Sequence, residues 1–364
     1  MRSGPGSHRR KSVPVDGAQE ARPLVVADIG GTTLRIARWD PHTGNLSGVR
    51  RRPVSGITAR PGLDARELQA GVVDQLSSEL SDHLDAEASD AGIPAVGLSF
   101  AGPVTSDGLV TAAPTIWGEG GEPLPLGAVL GERLGRPVLV ANDITAAVWR
   151  YAESEPEPFC LITVSSGIGN KVFRNGEVLV HPAGYGGELG HWRSDPSPGA
   201  ARCDCGGRGH LGALASGRGM LSAARRAAGG DPAGFAGSLL AVHAKGRAHG
   251  ITNEALAAAI RGGDPFATAV LRGGLRHLSS AIAAMFTTIG IVRYIVIGGF
   301  ALAIGERYIE LLGDELSQQG CFGMDPDGMR NMVRLGMTDD DHSLIGIGRM
   351  LTSGAFSGIC PSTR

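Results

Sequence analysis

The chain has 364 residues, 42% hydrophobic and 19% charged, and its 34 basic and 36 acidic side chains leave a formal net charge of −2. That length predicts two globular domains, and the near-cancellation of charge excludes a global field that would hold nucleic acid or an anionic membrane. Apolar runs fall short of the roughly 20 residues that cross a bilayer, so a cytoplasmic location is expected.

Residues 1–22 carry Arg2, Arg9, Arg10, Lys11 and Arg22 among glycine, proline and serine. They hold no apolar h-region, and read as a disordered basic tail rather than a secretory signal. Five cysteines, with only Cys203 and Cys205 close together, do not make a secreted disulfide framework. Cys160, Cys321 and Cys360 read as ordinary buried or partly buried thiols. Glycine, at 57 residues, is about twice its average usage, and it clusters where apolar strands end.

Leu24–Ile29 is a β-branched run that stops in Gly30-Gly31-Thr32-Thr33, after which residues 34–39 alternate as a second strand of a hairpin. Glycine after a strand lets backbone N–H groups approach an anion without side-chain obstruction, and such nests bind phosphate. In that reading Asp28 holds Mg²⁺ through water, and Thr32 and Thr33 donate to phosphate oxygens of a nucleotide triphosphate. A plain tight hairpin wants the same residues. The run is neither a Walker A loop nor the Rossmann G-x-G-x-x-G.

A helix with Leu68, Val72, Leu76, Leu80 and Leu84 on one face follows, then strands over 95–100 and 137–141. Asn142-Asp143 stand at the carboxyl end of the latter, where ligands of open α/β sheets collect. A carboxylate there can take the proton of a hydroxyl attacking a γ-phosphate. The pair also suits the N-cap of the helix predicted over 144–149, and the two roles can coexist.

Phe159–Val164 is another short apolar run, ending in Ser165-Ser166-Gly167-Ile168-Gly169-Asn170. A second hairpin follows, with Asn175-Gly176 as a type I′ turn between 171–174 and 177–180. Strand, glycine-and-hydroxyl turn, strand is thus read twice, about 135 residues apart. Such a period predicts duplicated α/β domains rather than a solenoid, and the second turn, with Ser166, Gly167 and Gly169, becomes a second phosphate candidate.

Next comes Gly187-Glu188-Leu189-Gly190-His191, followed by Cys203, Cys205 and His210. Two thiolates and two imidazoles close a tetrahedral Zn²⁺ site with no open position, so the expected metal is structural, although C-x-C departs from the usual C-x₂₋₄-C. It would pin the segment carrying Glu188, a carboxylate with no obvious job in a core. Leu271, Leu275, Leu278, Ile282, Met285 and Ile289 then trace a long helix into the strand Tyr294–Ile297. Gly298-Gly299 after it allows close approach of an adenosine or ribose, or serves only as a turn. A last helix is predicted around 345–356.

Taken in order, DIGGTTLRIARW, GLSFAGPV, VANDITAAVW, SSGIGNKVFRNGEV, GYGGELGHW, CDCGGRGH and VIGGF resemble the ROK family (repressors, open reading frames and sugar kinases) over about residues 24–356. The resemblance implies a duplicated actin-like (ribonuclease H-like) ATPase fold, two α/β domains around a cleft. The small N-terminal domain would span 23–142 and be joined by a C-terminal helix over 343–358; the large one would span 143–342 with a zinc-binding insertion over 188–212. It further implies phosphate contact by Gly30, Gly31, Thr32 and the 166–169 turn, and base catalysis by Asp143. Acceptor hydroxyls would be held by Asn142, Asp143, Glu188 and His191, and zinc by His191, Cys203 and Cys205. ATP, Mg²⁺ and structural Zn²⁺ are the expected cofactors, a sugar or cyclitol the expected small-molecule partner, and a homodimer or higher homo-oligomer the expected assembly.

Three positions depart from the family pattern. His210 replaces its third cysteine, which keeps a competent ligand. Gly212 stands where the sugar kinases carry a glutamate that contacts hydroxyls near the anomeric carbon, a charged hydrogen bond worth about 1.5–3 kcal/mol. Asn170-Lys171 replaces a glycine pair; Lys171 either supplements the phosphate clasp or, the favoured reading, begins an exposed hairpin. Together these predict a ring acceptor phosphorylated on its hydroxymethyl group but unlike an aldohexose at the opposite edge. C7-cyclitols fit, and RIARW and GLSF look closer to cyclitol kinases than to common glucokinases. A glucokinase or other hexose kinase is the alternative. A non-catalytic sugar-binding or regulatory protein is the reading from another class, against which stand Asp143 and both phosphate turns; a repressor would also need a winged helix ahead of Leu24.

Overall fold

The computed structural model describes residues 23–85 and 95–353. The basic tail, Cys360 and the end of the last predicted helix lie outside them. Strands β1 (Leu24–Ile29), β2 (Thr33–Trp39), β3 (Leu46–Pro53), β4 (Val96–Phe100) and β5 (Val138–Asn142) form one sheet in the order β3-β2-β1-β4-β5. Strands β6 (Phe159–Val164), β7 (Ile168–Arg174), β8 (Glu177–Val178), β9 (Tyr294–Ile297) and β10 (Val333–Leu335) form the other, in the order β10-β9-β6-β7-β8. In each, the first strand pairs antiparallel with the second and parallel with the fourth, so the repeat read from sequence is a repeat of topology.

The central strands β1 and β6 are apolar because they are covered on both faces. Val25, Ala27 and Ile29 of β1 pack with Leu68, Val72 and Leu76 of helix α1 (Ala65–Asp85). Helix α2 (Leu126–Leu134) joins that layer. On the other face, Leu24, Val26, Leu139 and Ala141 meet Leu344 and Ile347, carried by the last helix described.

Helix α3 (Asp143–Trp149) lies under the second sheet, where Val148 and Trp149 pack with Phe159, Leu161 and Phe173. The far face of that sheet carries the larger core. Helices α4 (Leu211–Ala215), α5 (Gly217–Gly230), α6 (Pro232–Ala236), α7 (Leu239–His243), α8 (Asn253–Arg261), α9 (Pro265–Ile289), α10 (Gly299–Ile304), α11 (Glu306–Gln319) and α12 (Pro326–Arg330) build it. Helix α13 (His342–Thr352) closes the described chain, crossing α3 so closely that a Cβ on Gly346 would meet the Ala146 carbonyl oxygen.

Strand β3 escapes a reading by hydrophobic period because it is exposed almost throughout and carries Arg50, Arg51 and Arg52. Charged side chains on an edge strand discourage pairing with another chain.

Candidate functional site

Parallel strands end on the same side of a sheet, and this collects the candidate residues. In the first sheet Asp28 pairs with Ser99 and Phe100 with Asn142, so the 30–33 turn and Asn142-Asp143 share one edge. In the second, Thr163 pairs with Ile297, which sets the 165–167 turn beside Gly298-Gly299. A cavity of about 730 Å³ is walled by Asn142, Asp143, Ser166, Gly167 and Glu188, with Gly169, Gly298 and Gly299 completing its second-sheet side. Asp28, Gly30, Gly31, Thr32 and Thr33 border the same sheet edge but do not line that cavity.

Asn142 is the N-cap of α3. Its Oδ1 accepts from the Ile144 and Thr145 amides, both at 3.1 Å, and its Nδ2 donates to the Gly102 carbonyl at 3.0 Å and to Asp143 Oδ1 at 2.8 Å. Asp143 Oδ1 also accepts from its neighbouring Ile144 amide at 2.9 Å. Both of these bonds fall on one carboxylate oxygen, which leaves Oδ2 without a hydrogen bond among the described residues. Burial pushes the Asp143 carboxyl up to about 7, helped by the negative charge of Asp28 and opposed by the Ile144 amide and the Lys171 ammonium.

Asp28 is held from two sides. Arg35 donates to its Oδ2 from Nη2 at 2.8 Å and from Nε at 3.2 Å, and Ser99 Oγ donates to its Oδ1 at 2.7 Å. Arg35 also reaches the Asp340 carbonyl and Asp341, tying β2 to the segment before α13. The first turn closes through Gly30 N–H to the Thr33 carbonyl at 3.0 Å, and both threonines are exposed.

The second turn is shorter than its sequence suggests, because β7 begins at Ile168 and Gly169 sits within it opposite Thr163. There a Cβ would come within 2.3 Å of Ile144 Cδ1, so Gly169 seats α3 on the strand. Gly298 has φ +100°, and a Cβ on it would meet the Val164 backbone at 2.7 Å; only glycine lets α10 start this close to β6. Arg218, unread in the sequence for want of any spacing signal, donates from Nε to the Ser166 carbonyl at 2.8 Å and pairs with Asp204.

Lys171 corrects the sequence reading. It does not open an exposed hairpin but is 4% exposed, with Nζ donating to the Gly186 carbonyl at 2.6 Å. Its place on β7 turns it toward the α3 side of the sheet, and the loop over 184–188 covers it. Burial pulls the ammonium's pKa down, while the charges of Glu188 and Asp143 pull it back up.

His191, Cys203, Cys205 and His210 converge, their ligand atoms all within 4.8 Å of one another. Cys203 Sγ lies 3.8 Å from His191 Nδ1, and Cys205 Sγ 3.2 Å from His210 Nδ1. Tetrahedral Zn²⁺ with bonds of about 2.0–2.3 Å spaces its ligands by about 3.3–3.8 Å, so the donor set and its geometry fit the metal. The preceding loop is stacked through glycine: a Cβ on Gly190 would lie 2.2 Å from the Ile168 carbonyl oxygen, and one on Gly212 would lie 3.2 Å from the Gly190 carbonyl oxygen. His191 and Gly212 line a smaller cavity of about 150 Å³ with Gly167 and Arg218, which adjoins the Asp143 cavity at the shared Gly167 and Ile168.

A model described as the ROK family matches residues 27–321. The chain is 55% identical over 327 residues to the C(7)-cyclitol 7-kinase of Streptomyces hygroscopicus subsp. jinggangensis, covering 90% of this chain and 93% of that one. It is 31% identical over 344 residues to the 2-epi-5-epi-valiolone 7-kinase of an Actinoplanes species, covering 90% and 92%. Among solved structures, a ROK family glucokinase from Streptomyces griseus in complex with glucose and AMPPNP superposes with a TM-score of 0.68 at 24% identity, covering 90% of this chain and 98% of that one. The two matching sheets are therefore the duplicated actin-like ATPase fold, and the chain belongs to the ROK family.

Proposed function

We propose that the protein is an ATP-dependent kinase that transfers the γ-phosphate to the primary hydroxyl of a C7-cyclitol. The observation that carries the chemistry is Asp143, which lines a cavity walled by the second phosphate turn and whose Oδ1 is spent on Ile144 and Asn142, leaving Oδ2 without a hydrogen bond among the described residues. Likeness to the C(7)-cyclitol 7-kinase supports the acceptor class.

In this reading Asp143 Oδ2 takes the proton of the acceptor hydroxymethyl as its oxygen attacks the γ-phosphorus, and ADP leaves. Ser166, Gly167 and Gly169 approach the phosphates from the second sheet, and Gly30, Gly31, Thr32 and Thr33 from the first as the cleft closes. Gly298 and Gly299 leave room for the nucleoside. Asp28 would hold Mg²⁺ through water, and the bound ion would supply positive charge to the phosphates. Asn142 orients Asp143, and Glu188 and His191 hold acceptor hydroxyls. His191, Cys203, Cys205 and His210 would hold a structural Zn²⁺, which would fix the Glu188 loop. Gly212, with no carboxylate for hydroxyls near an anomeric carbon, speaks against glucose. The enzyme is read as cytoplasmic, consistent with the absence of any membrane-crossing helix among the described residues. It is read as a homodimer or higher homo-oligomer, to which exposed Leu239 and Val242 on one face of α7 lend support.

The test is ADP release with Mg²⁺-ATP across C7-cyclitols and hexoses, with Asp143→Asn as control. Turnover of glucose far above every cyclitol would overturn the acceptor class, and undiminished turnover by Asp143→Asn the assignment of the base.

A further inference from the structure

A trans peptide group is flat, so its C=O and the N–H of the next residue point in opposite directions, and fixing one aims the other. In the second phosphate turn two successive trans peptides are fixed in this way, both from α5. The Ser165 carbonyl accepts from the Gly217 N–H at 2.7 Å, and the Ser166 carbonyl accepts from Arg218 Nε at 2.8 Å. Gly217 and Arg218 are the first two residues of α5. The N–H groups of Ser166 and Gly167 therefore point away from that helix, and among the described residues neither has a hydrogen-bond partner.

A Cβ on Gly217 would lie 2.9 Å from the Ser165 carbonyl oxygen and 3.3 Å from Phe300 Cβ, so α5 reaches the turn at a residue without a side chain. The start of α5 is itself held, because Ser216 Oγ accepts from the Gly219 N–H at 3.3 Å and donates to the Gly212 carbonyl at 2.5 Å. Arg218 stands behind the turn. It lines the cavity of about 150 Å³, Ser166 lines the one of about 730 Å³ that holds Asp143, and Gly167 lines both. Arg218 Nη1 pairs with Asp204, and both side chains are exposed, so the pair offsets the guanidinium charge and adds little stability. What Arg218 brings to the turn is one placed donor, Nε.

We propose that Arg218 is a positioning residue for the phosphoryl donor. By holding the Ser166 carbonyl it aims the Gly167 N–H, as the Gly217 N–H aims that of Ser166, so that two successive backbone donors meet the phosphate oxygens of the nucleotide. The proposal rests on the kinase reading above. Successive N–H groups presented together make an anion nest, and their bonds to a phosphate are of the stronger, charge-assisted kind. Such bonds weaken steeply with misalignment, which is what a turn released from Arg218 would suffer.

The test is calorimetric binding of ADP, with Mg²⁺, to the full-length protein, alongside KM for ATP and for the acceptor. Arg218→Met keeps the stem and removes the donor; it should weaken ADP and raise KM for ATP by about tenfold, leaving KM for the acceptor unchanged. Arg218→Gln removes the charge but keeps an amide donor, as many bonds from the backbone as the arginine Nε. It should bring ADP affinity back to within about threefold of wild type. A guanidinium that acted on the phosphates through its charge would leave the Gln variant as weak as the Met variant, and that result overturns the proposal. So does a folded Met variant with wild-type ADP affinity. Should the Met variant not fold, Gly217→Ala serves in its place: its Cβ presses on the Ser165 carbonyl and should weaken ADP, and unchanged affinity overturns the proposal. If wild type binds ADP but phosphorylates no acceptor, the kinase reading fails by itself and the ADP comparison still decides Arg218. Wild type that binds no ADP overturns the proposal.

Discussion

Asp28 and Asp143 stand at the ends of β1 and β5 in one sheet, and the charge of the first, added to burial, holds the carboxyl of the second near neutrality. A base poised there is ionised over only part of the working range. The logarithm of kcat/KM should therefore rise with a slope of about one up to about pH 7 and level above it. Asp28→Asn should move that limb to lower pH, because it removes one of the two causes of the shift. A profile with no acid limb, measured under saturating ATP, would contradict the assignment.

The same shift has a consequence for stability. With its pKa raised from 3.8 to about 7, the native Asp143 binds more protons than the unfolded chain between those values. This group's contribution to stability is therefore greatest in acid and is lost as pH rises through about 7. Asp143→Asn removes an unfavourable buried charge while keeping an acceptor for the Ile144 amide. It should raise the melting temperature at pH above about 7 even as it removes activity; a melting temperature lower than wild type there would count against the shift.

Arg35 is predicted to matter more to folding than its surface-type side chain suggests. It is buried, donates two hydrogen bonds to Asp28 and ties β2 to the segment before α13. Arg35→Met leaves a buried carboxylate with only Ser99 as donor and should cost about 3–5 kcal/mol in denaturant unfolding. A loss under about 1 kcal/mol would place the pair among exposed ion pairs.

Metal analysis of the purified protein should find about one equivalent of zinc per chain. Cys205→Ala or a strong chelator should remove it, lower the melting temperature and raise KM for the acceptor more than KM for ATP, because the cluster anchors the loop that carries Glu188 and His191. Equal effects on both KM values would show that the metal supports the fold as a whole.

Two glycines separate the halves of the site. Gly190→Ala drives a Cβ into the Ile168 carbonyl oxygen and should displace the Glu188 loop, weakening the acceptor. Gly298→Ala strains a backbone at φ +100° and presses on Val164, and should weaken ATP. Each should cost about 1–3 kcal/mol of stability. Steady-state kinetics with each substrate varied in turn will distinguish them, and the reverse pattern would reverse the assignment of the two ends.

Much of this molecule can be read from its residues in line. β1, β6, α1 and α9 announce themselves because a covered strand is uniformly apolar and a half-covered helix repeats its apolar face. The His and Cys spacing holds the donor set of a metal site, and a glycine turn after a strand is a local chemical fact. Strand β3 cannot be read this way, since its exposed edge has no contrast between inside and outside.

Residues 165–169 suggested one turn, but pairing of Ile168 with Val164 puts Gly169 inside β7 and gives it a packing role. Charge environments are the furthest from legible. Polarity alone sends Lys171 to the surface; only the loop folded over β7 buries it near Glu188 and Asp143. Nor does the sequence bring Asp28 to Asp143 or Arg218 to the Ser166 carbonyl. Sequence by itself determines which segments must leave water, because that depends on local hydrophobic pattern. Which charges then face one another, and at what pKa, depends on distances between segments far apart in the chain, and only the tertiary structure decides those.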